Sequence, residues 1–228
     1  MIEGWLTDAQ AARLRAAASR SRPDGAVVEI GSFRGKSTVV LAQAAGSVIA
    51  IDPHAGSDRG PQEIEAEASR GDADHEAFLS NLAAAGVADR VRHVRKFSSD
   101  AHGDVAGPLS LLYVDGAHRF DPARADLAGW GGRVRPGGTM LVHDAFSSIG
   151  VTLALLFVCA GSRSWRYVGR TGSLAEYERV ASGPRDLGAF AREVPWFARN
   201  VLIKVLVVAG RRRWAERLGL DPAAPWPY

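Results

Sequence analysis

Cysteine is nearly absent from this chain: Cys159 is the only one among 228 residues. A single thiol closes no intramolecular disulfide and builds no cysteine zinc cage, and such low usage fits a reducing compartment. Its place in the apolar run 151–160 marks it as a small buried hydrophobe. The first residues, MIEGWLTDAQ, lack a basic region followed by an apolar stretch, so no signal peptide is expected and a cytoplasmic location is. The most apolar helix-like stretch, between Trp196 and Gly210, contains Arg199 and Lys204 and is shorter than the roughly 20 apolar residues needed to cross a bilayer. An excess of one charge is missing too, since the formal net charge is only +3 despite a pI near 9.3. The charge is regional: residues 53–76 hold seven acidic groups against Arg59 and Arg70, and residues 184–228 hold eight basic groups against four acidic ones. No basic stripe with stacking aromatics is present, so no nucleic-acid partner is expected.

What is present suits a soluble α/β domain, with 46% hydrophobic residues, 23% charged residues and 25 glycines. Thr7 and Gln10 have capping-box spacing, which predicts a helix over 8–21. Short β-branched or apolar runs at 26–31, 47–52, 90–96, 109–115 and 138–144 alternate with helical patterns at 35–45, 75–85, 121–130 and 149–160. This alternation predicts a doubly wound, mainly parallel seven-stranded sheet, completed by an antiparallel hairpin over 164–170 and 172–180. Residues 1–180 are read as one domain and 184–228 as an amphipathic helical extension. In the extension Phe190, Val194, Phe197, Val201, Val205 and Val208 share a helical face. The expected use of that face is packing on its own domain first, then a dimer surface, then attachment to a membrane surface helped by Arg211, Arg212 and Arg213. A homodimer without membrane contact is the expected state. The long polar segment 53–74 follows the second strand on the ligand side and is expected to be a mobile lid, with a merely solvated acidic insertion as the alternative.

The first motif that carries chemistry is EIGSFRGKST at 29–38. Its glycines, Gly31 and Gly35, let backbone amides approach a polar ligand at the N-terminus of the next helix. The dinucleotide pattern G-x-G-x-x-G is absent, and a phosphate-binding P-loop would need one more residue between the glycines. Asp52 closes the second strand, where a carboxylate can accept both ribose hydroxyls. Ser98, Ser99 and Asp100 follow the third strand, where they could meet a base edge.

Together with VIAIDP (48–53), VDGAH (114–118) and RPGGTMLVHD (135–144), this motif resembles a known family over about residues 27–177. It is similar to the class I S-adenosylmethionine (SAM) methyltransferases related to the macrolide-sugar and cephamycin-pathway enzymes, metal-dependent O-methyltransferases. The resemblance implies that Gly31, Ser32, Ser37, Asp52, Ser99 and Asp100 line SAM, with Glu29, Gly35 and His54 as further cofactor-site candidates. It also implies that Asp115 and Asp144 hold a divalent metal, expected to be Mg²⁺. This chain has His143-Asp144 where family members often have Glu-Asp, so His143 is a candidate ligand that would favour softer ions.

The chemistry agrees with that placement. A sulfonium methyl is already activated, so the protein must present an oxygen nucleophile in line and exclude water. A metal on two carboxylates would lower the hydroxyl's pKa, with His118 as the candidate catalytic base beside Asp115. The plainer alternatives are helix caps for the two aspartates and a hydrogen-bonded structural role for His118. His75, His93 and His102 are read as a helix start and two surface residues. The expected acceptor is a small molecule or oligosaccharide offering a sugar hydroxyl, with a mannoside of an actinobacterial polysaccharide or a glycosylated natural product as the sharper expectation. A catechol O-methyltransferase, a P-loop-like NTPase and a non-catalytic SAM-binding module are the rival readings.

Overall fold

The computed structural model describes residues 2–57 and 65–222. Seven strands form one sheet: β1 (Ala26–Ile30), β2 (Val48–Ile51), β3 (Val91–Val94), β4 (Leu109–Val114), β5 (Val134–Val142), β6 (Trp165–Thr171) and β7 (Leu174–Arg179). Their spatial order is β3-β2-β1-β4-β5-β7-β6. The pairs among β1 to β5 are parallel, whereas β7 runs antiparallel to both β5 and β6. The chain order therefore reverses direction between β1 and β4, which opens a crevice beyond their carboxyl ends.

The helices are α1 (Asp8–Ser19), α2 (Lys36–Ala45), α3 (Ala68–Ala84), α4 (Phe120–Gly129), α5 (Ile149–Leu155), α6 (Leu187–Val208) and α7 (Arg212–Arg217). Successive strand residues point to opposite faces, and the central strands bury both. Val28, Ile30, Leu112, Val114, Met140 and Val142 pack with Leu127, Trp130, Val151 and Leu155 of the α4 and α5 side. Val27, Leu111, Tyr113 and Leu141 pack with Leu14, Leu41, Phe78 and Leu82 of the α1, α2 and α3 side. At the N-terminus of α1 both capping-box bonds form, Gln10 N–H to Thr7 Oγ1 at 3.3 Å and Thr7 N–H to Gln10 Oε1 at 2.8 Å.

Two boundaries depart from the sequence reading. Helix α3 begins at Ala68 rather than at 75, so its first two turns occupy the end of the expected lid. The residues just after β2 also pack on the start of α3: a Cβ at Gly71 would lie 1.9 Å from the His54 carbonyl oxygen, and one at Gly56 would lie 2.3 Å from that of Glu67. Residues 58–64 of the expected lid lie outside the described residues. Strand β5 starts at Val134 rather than at 138. The helix expected over 149–160 keeps its bounds, as α5 continued by a π turn over Leu156–Ala160.

The C-terminal segment forms two helices, not one. Helix α6 packs on the sheet domain, with the Asn200 side-chain amide donating to the Phe146 carbonyl at 3.0 Å and the Lys204 ammonium donating to that of Ser147 at 2.7 Å. Helix α7 folds back so that Ala215 and Leu220 cover Ile203. Of the face expected to be buried, Phe190 and Phe197 do pack inward, but Val194, Val205 and Val208 are exposed. No described helix is long and apolar enough to cross a membrane.

Candidate active site

A cavity of about 330 Å³ lies over the crevice, walled by the loops after β1, β2, β3, β4 and β5 and by residues 3–6 before α1. Gly31 has φ +84°, and a Cβ there would lie 2.2 Å from the Asp115 carbonyl oxygen, so the crossing of β1 and β4 requires glycine. Asp52 organises the loop beside it. Its Oδ2 accepts the Ser32 and Phe33 amides, both at 2.8 Å, and its Oδ1 accepts the His54 amide at 2.7 Å. The His54 ring closes the arrangement, with Nε2 at 2.8 Å from the Phe33 carbonyl oxygen. Ser32 is buried in the cavity wall, and its hydroxyl has no hydrogen-bond partner among the described residues. That is the state expected of a group reserved for a polar ligand.

Gly31, Ser32, Ser37, Asp52, His54 and Ser99 all line this cavity, as do Asp115, His118, His143 and Asp144. Glu29, Gly35 and Asp100, also expected at the cofactor, are not among its lining residues. Glu29 is fully buried beneath the loop and accepts the Ser37 and Thr38 hydroxyls. Burial pushes its pKa up to about 8 against the pull of those hydroxyls. Gly35 precedes α2 at φ +84°, and its Cα faces the Phe78 ring. Asp100 is exposed and accepts the Ser99 hydroxyl at 3.1 Å.

The second half of the wall concentrates charge. His118 Nε2 lies 2.8 Å from Asp144 Oδ2, and His143 Nδ1 lies 3.2 Å from Asp115 Oδ1 and 3.4 Å from Asp144 Oδ2. The Tyr113 hydroxyl donates to Asp115 Oδ2 at 2.9 Å. Burial alone would lower both imidazoles, but the two carboxylates outweigh it and raise His118 and, further, His143. Burial would likewise raise the Asp144 carboxyl, and the two histidines overturn this to hold it well below the usual range. One donor atom each from Asp115, His118 and Asp144 lie within 4.8 Å of one another, a set fit for a metal ion. His143 is not in that convergent set; its ring sits between the carboxylates. The ligand trio expected from sequence thus exchanges His143 for His118.

Several wall residues were missed in the sequence reading. Asp126 of α4 accepts the Ser98 hydroxyl at 2.5 Å, and burial raises its carboxyl to about 6. His102 is exposed, as expected, but also lines the cavity, with its ring stacked on Trp130 at 4.3 Å. His93, which does not line the cavity, is packed among His54, His75 and Phe78, and burial with those neighbouring imidazoles lowers it to about 4. Trp5 stands 5.4 Å from the Phe33 ring, and nothing in its sequence surroundings marked it. One signal of the site is conformational: among the described residues Phe33, His54, Asp144 and Phe146 are the non-glycine residues with positive φ, and they lie in the loops after β1, β2 and β5. Such strain clusters where a ligand geometry is held in advance.

The family model described as a methyltransferase domain matches residues 28–145, from within β1 to the first residues after β5. Among solved structures the chain is similar to cofactor-bound Rv0187 from MTB, at 22% identity over 77% of this chain and 81% of that one, with a TM-score of 0.57. It is similar to the O-methyltransferase TomG from Streptomyces achromogenes, solved with SAM, at 20% identity over 78% and 82% of the two chains, TM-score 0.55. A putative rRNA-methylase from Clostridium thermocellum matches at 13% identity over 79% and 100%, TM-score 0.57, so the fold is shared across different acceptors. With a family model covering more than half of its length and the mixed sheet of these enzymes, the chain belongs to the methyltransferase-domain family.

Proposed function

We propose that this chain transfers a methyl group from SAM to a hydroxyl oxygen with the help of a divalent metal, the acceptor being a sugar hydroxyl, most specifically a mannoside of an actinobacterial polysaccharide or a glycosylated natural product. The observation that carries the reading is the convergence of Asp115, His118 and Asp144 in the wall of the same cavity as the Gly31 loop. The buried Ser32 hydroxyl, the remaining lone pair of Asp52 Oδ1 and the close approach at Gly31 suit a polar nucleoside-like cofactor. SAM, when bound, supplies a methyl already activated by its sulfonium. Two carboxylates and an imidazole suit a divalent ion, which would supply Lewis acidity to the acceptor hydroxyl, and the imidazole tilts the preference from Mg²⁺ toward softer ions.

The chain's own residues then have distinct tasks. Asp115 and Asp144 present negative charge where a metal and an acceptor hydroxyl would meet. His143, wedged between them, positions both carboxylates. His118 has Nε2 against Asp144, so its Nδ1 is the nitrogen that would take the acceptor's proton if the ring acts as base and not as ligand. The wall formed by Trp5 and Phe33 excludes water from the cofactor side. The NTPase alternative loses its support, since β7 runs antiparallel in the sheet and the family is that of methyltransferases.

The test has two stages. S-adenosylhomocysteine should raise the melting temperature, whereas Mg-ATP should not. Turnover is then measured on mannosides, other sugars and catechols, with and without a chelator. Asp144→Asn keeps a residue type that tolerates the φ of +55° while removing the charge. It is expected to retain S-adenosylhomocysteine binding and lose at least about 100-fold in turnover. Full activity of that variant, or indifference to the chelator, removes the metal from the reading; preference for a catechol removes the sugar.

A further inference from the structure

Helix α6 carries apolar residues on its outer side as well as on its packed side. Apart from the exposed Arg192, its charged and amide side chains are engaged within the molecule: Glu193 accepts the Tyr167 hydroxyl at 2.8 Å and the Arg170 guanidinium at 2.6 Å, Asn200 and Lys204 reach the 146–147 loop, and Arg199 donates to the Leu218 and Gly219 carbonyls at the end of α7. The outward stripe reads Leu187, Ala191, Val194, Pro195, Ala198, Leu202, Val205, Val208 and Ala209, with no charge in it, and all nine are exposed. Val205 is 57% and Val208 77% exposed. At 1.5 Å per residue the 22-residue helix extends this stripe over about 33 Å. A continuous exposed apolar face of that length marks an interaction surface.

The charge around the stripe identifies what covers it. The exposed charged residues over 184–222 are Arg185, Arg192, Arg211, Arg213 and Arg217, against the single exposed carboxylate of Asp221. Of the less exposed acids, Asp186 accepts the Tyr167 amide at 2.9 Å, Glu193 is held as above, and Glu216 pairs with Arg212. Past the end of the stripe Trp214 is 58% exposed, with the Arg217 guanidinium 4.7 Å from its ring centre. A second copy docked by a twofold axis, with α6 parallel or antiparallel to its mate, would set arginines against arginines. An anionic lipid surface meets both requirements, since it takes apolar side chains at the acyl boundary and pairs arginines with headgroups, with the indole at the level between.

We infer that the outward stripe of α6, together with Trp214 and the arginines of 211–217, docks this protein onto an anionic membrane surface. The helix lies in the interface plane and does not cross it. This inference is independent of the methyl-transfer reading, because vesicle binding requires neither cofactor nor acceptor. The experiment is co-sedimentation of the full chain with vesicles of phosphatidylglycerol mixed into phosphatidylcholine and with vesicles of phosphatidylcholine alone, together with light scattering in solution. The chain is expected to sediment with the anionic vesicles only and to be released by salt. The double variants Leu202→Glu with Val205→Glu, and Arg211→Glu with Arg213→Glu, should each weaken binding by roughly tenfold or more, with an unchanged far-ultraviolet circular dichroism spectrum and unchanged cofactor-induced stabilisation. Lack of binding to anionic vesicles overturns the inference. So does a dimer in solution that Leu202→Glu with Val205→Glu dissociates, because a second copy then covers the stripe.

Discussion

At the scale of single residues, Glu29 separates what a motif shows from what a side chain does. It stands two residues before Gly31, in the strand that delivers the cofactor loop, and sequence spacing assigned it to the ligand. In the fold a side chain at position 29 points through the sheet and under α2, and it meets two hydroxyls rather than the cavity. A carboxyl in that place keeps its proton because burial opposes the charge, and the nearby Asp115 and Asp52 carboxylates add to the effect. The native state therefore holds this proton up to about pH 8, while the unfolded chain releases it near the ordinary value of 4.5. Between those values the native state binds more protons, so Glu29 makes stability fall as pH rises, by at most about 1.4 kcal/mol per pH unit. Glu29→Gln, neutral at every pH, should abolish that contribution. Subtracting the melting-temperature profile of the variant from that of the natural chain cancels the other titrating groups, His93 included. A difference that declines from pH 5 to pH 8 and is flat above it is expected; a flat difference throughout means that Glu29 is ionised in the native state.

At the scale of elements, glycines in two helices predict opposite responses. Gly188, in the first turn of α6, has open space around its Cα, so Gly188→Ala should stabilise by up to about 1 kcal/mol, the ordinary helix propensity gain. Gly71 lies inside α3, where the same substitution would drive a Cβ to 1.9 Å from the His54 carbonyl and push α3 off the cavity loop. Gly71→Ala should cost at least about 2 kcal/mol and weaken S-adenosylhomocysteine binding as well. Equal melting temperatures for the two variants would mean that α3 does not press on that loop. This contact explains the misread boundary of α3. Ala68, Ser69 and Arg70 present no apolar period, and the first turns form because Gly71 lets the helix backbone seat against the turn after β2, a tertiary cause that local pattern does not contain. Strands β1, β4 and β5 were legible for the opposite reason. Their runs are buried on both faces, so composition alone reveals them, and the carboxylates at their ends follow directly. His118 was legible as a candidate through its spacing from Asp115. Its exchange with His143 in the convergent trio was not, because it depends on the turn that Asp144 makes at positive φ.

At the scale of the whole molecule, the cavity is closed by a segment that precedes the matched domain. Residues 3–6 cross the mouth of the Gly31 loop, where Lys36 donates to the Gly4 carbonyl at 3.0 Å, Arg34 pairs with Glu3, and Trp5 packs on Phe33. Leu6, 4% exposed, anchors the segment in the core cluster on the α1, α2 and α3 side, so the strap is tied to the domain at its C-terminal end and to the cofactor loop along its length. Phe33 is held at φ +45° with its amide on Asp52, and Trp5 is the aromatic neighbour that meets its ring. Removing the indole should therefore loosen the loop and let water into the cofactor side of the cavity, while the sheet and its two cores stay intact. Trp5→Ala is expected to weaken S-adenosylhomocysteine binding by about tenfold, equivalent to roughly 1.4 kcal/mol, with a small change in the melting temperature of the ligand-free protein. Calorimetric titration of both proteins measures the first quantity and a thermal scan the second. A large loss of ligand-free stability would instead make Trp5 a core residue. Unchanged affinity would mean that the strap covers the cavity without shaping it, and the closure of the cofactor side would then fall to the loops after β1 and β2 alone.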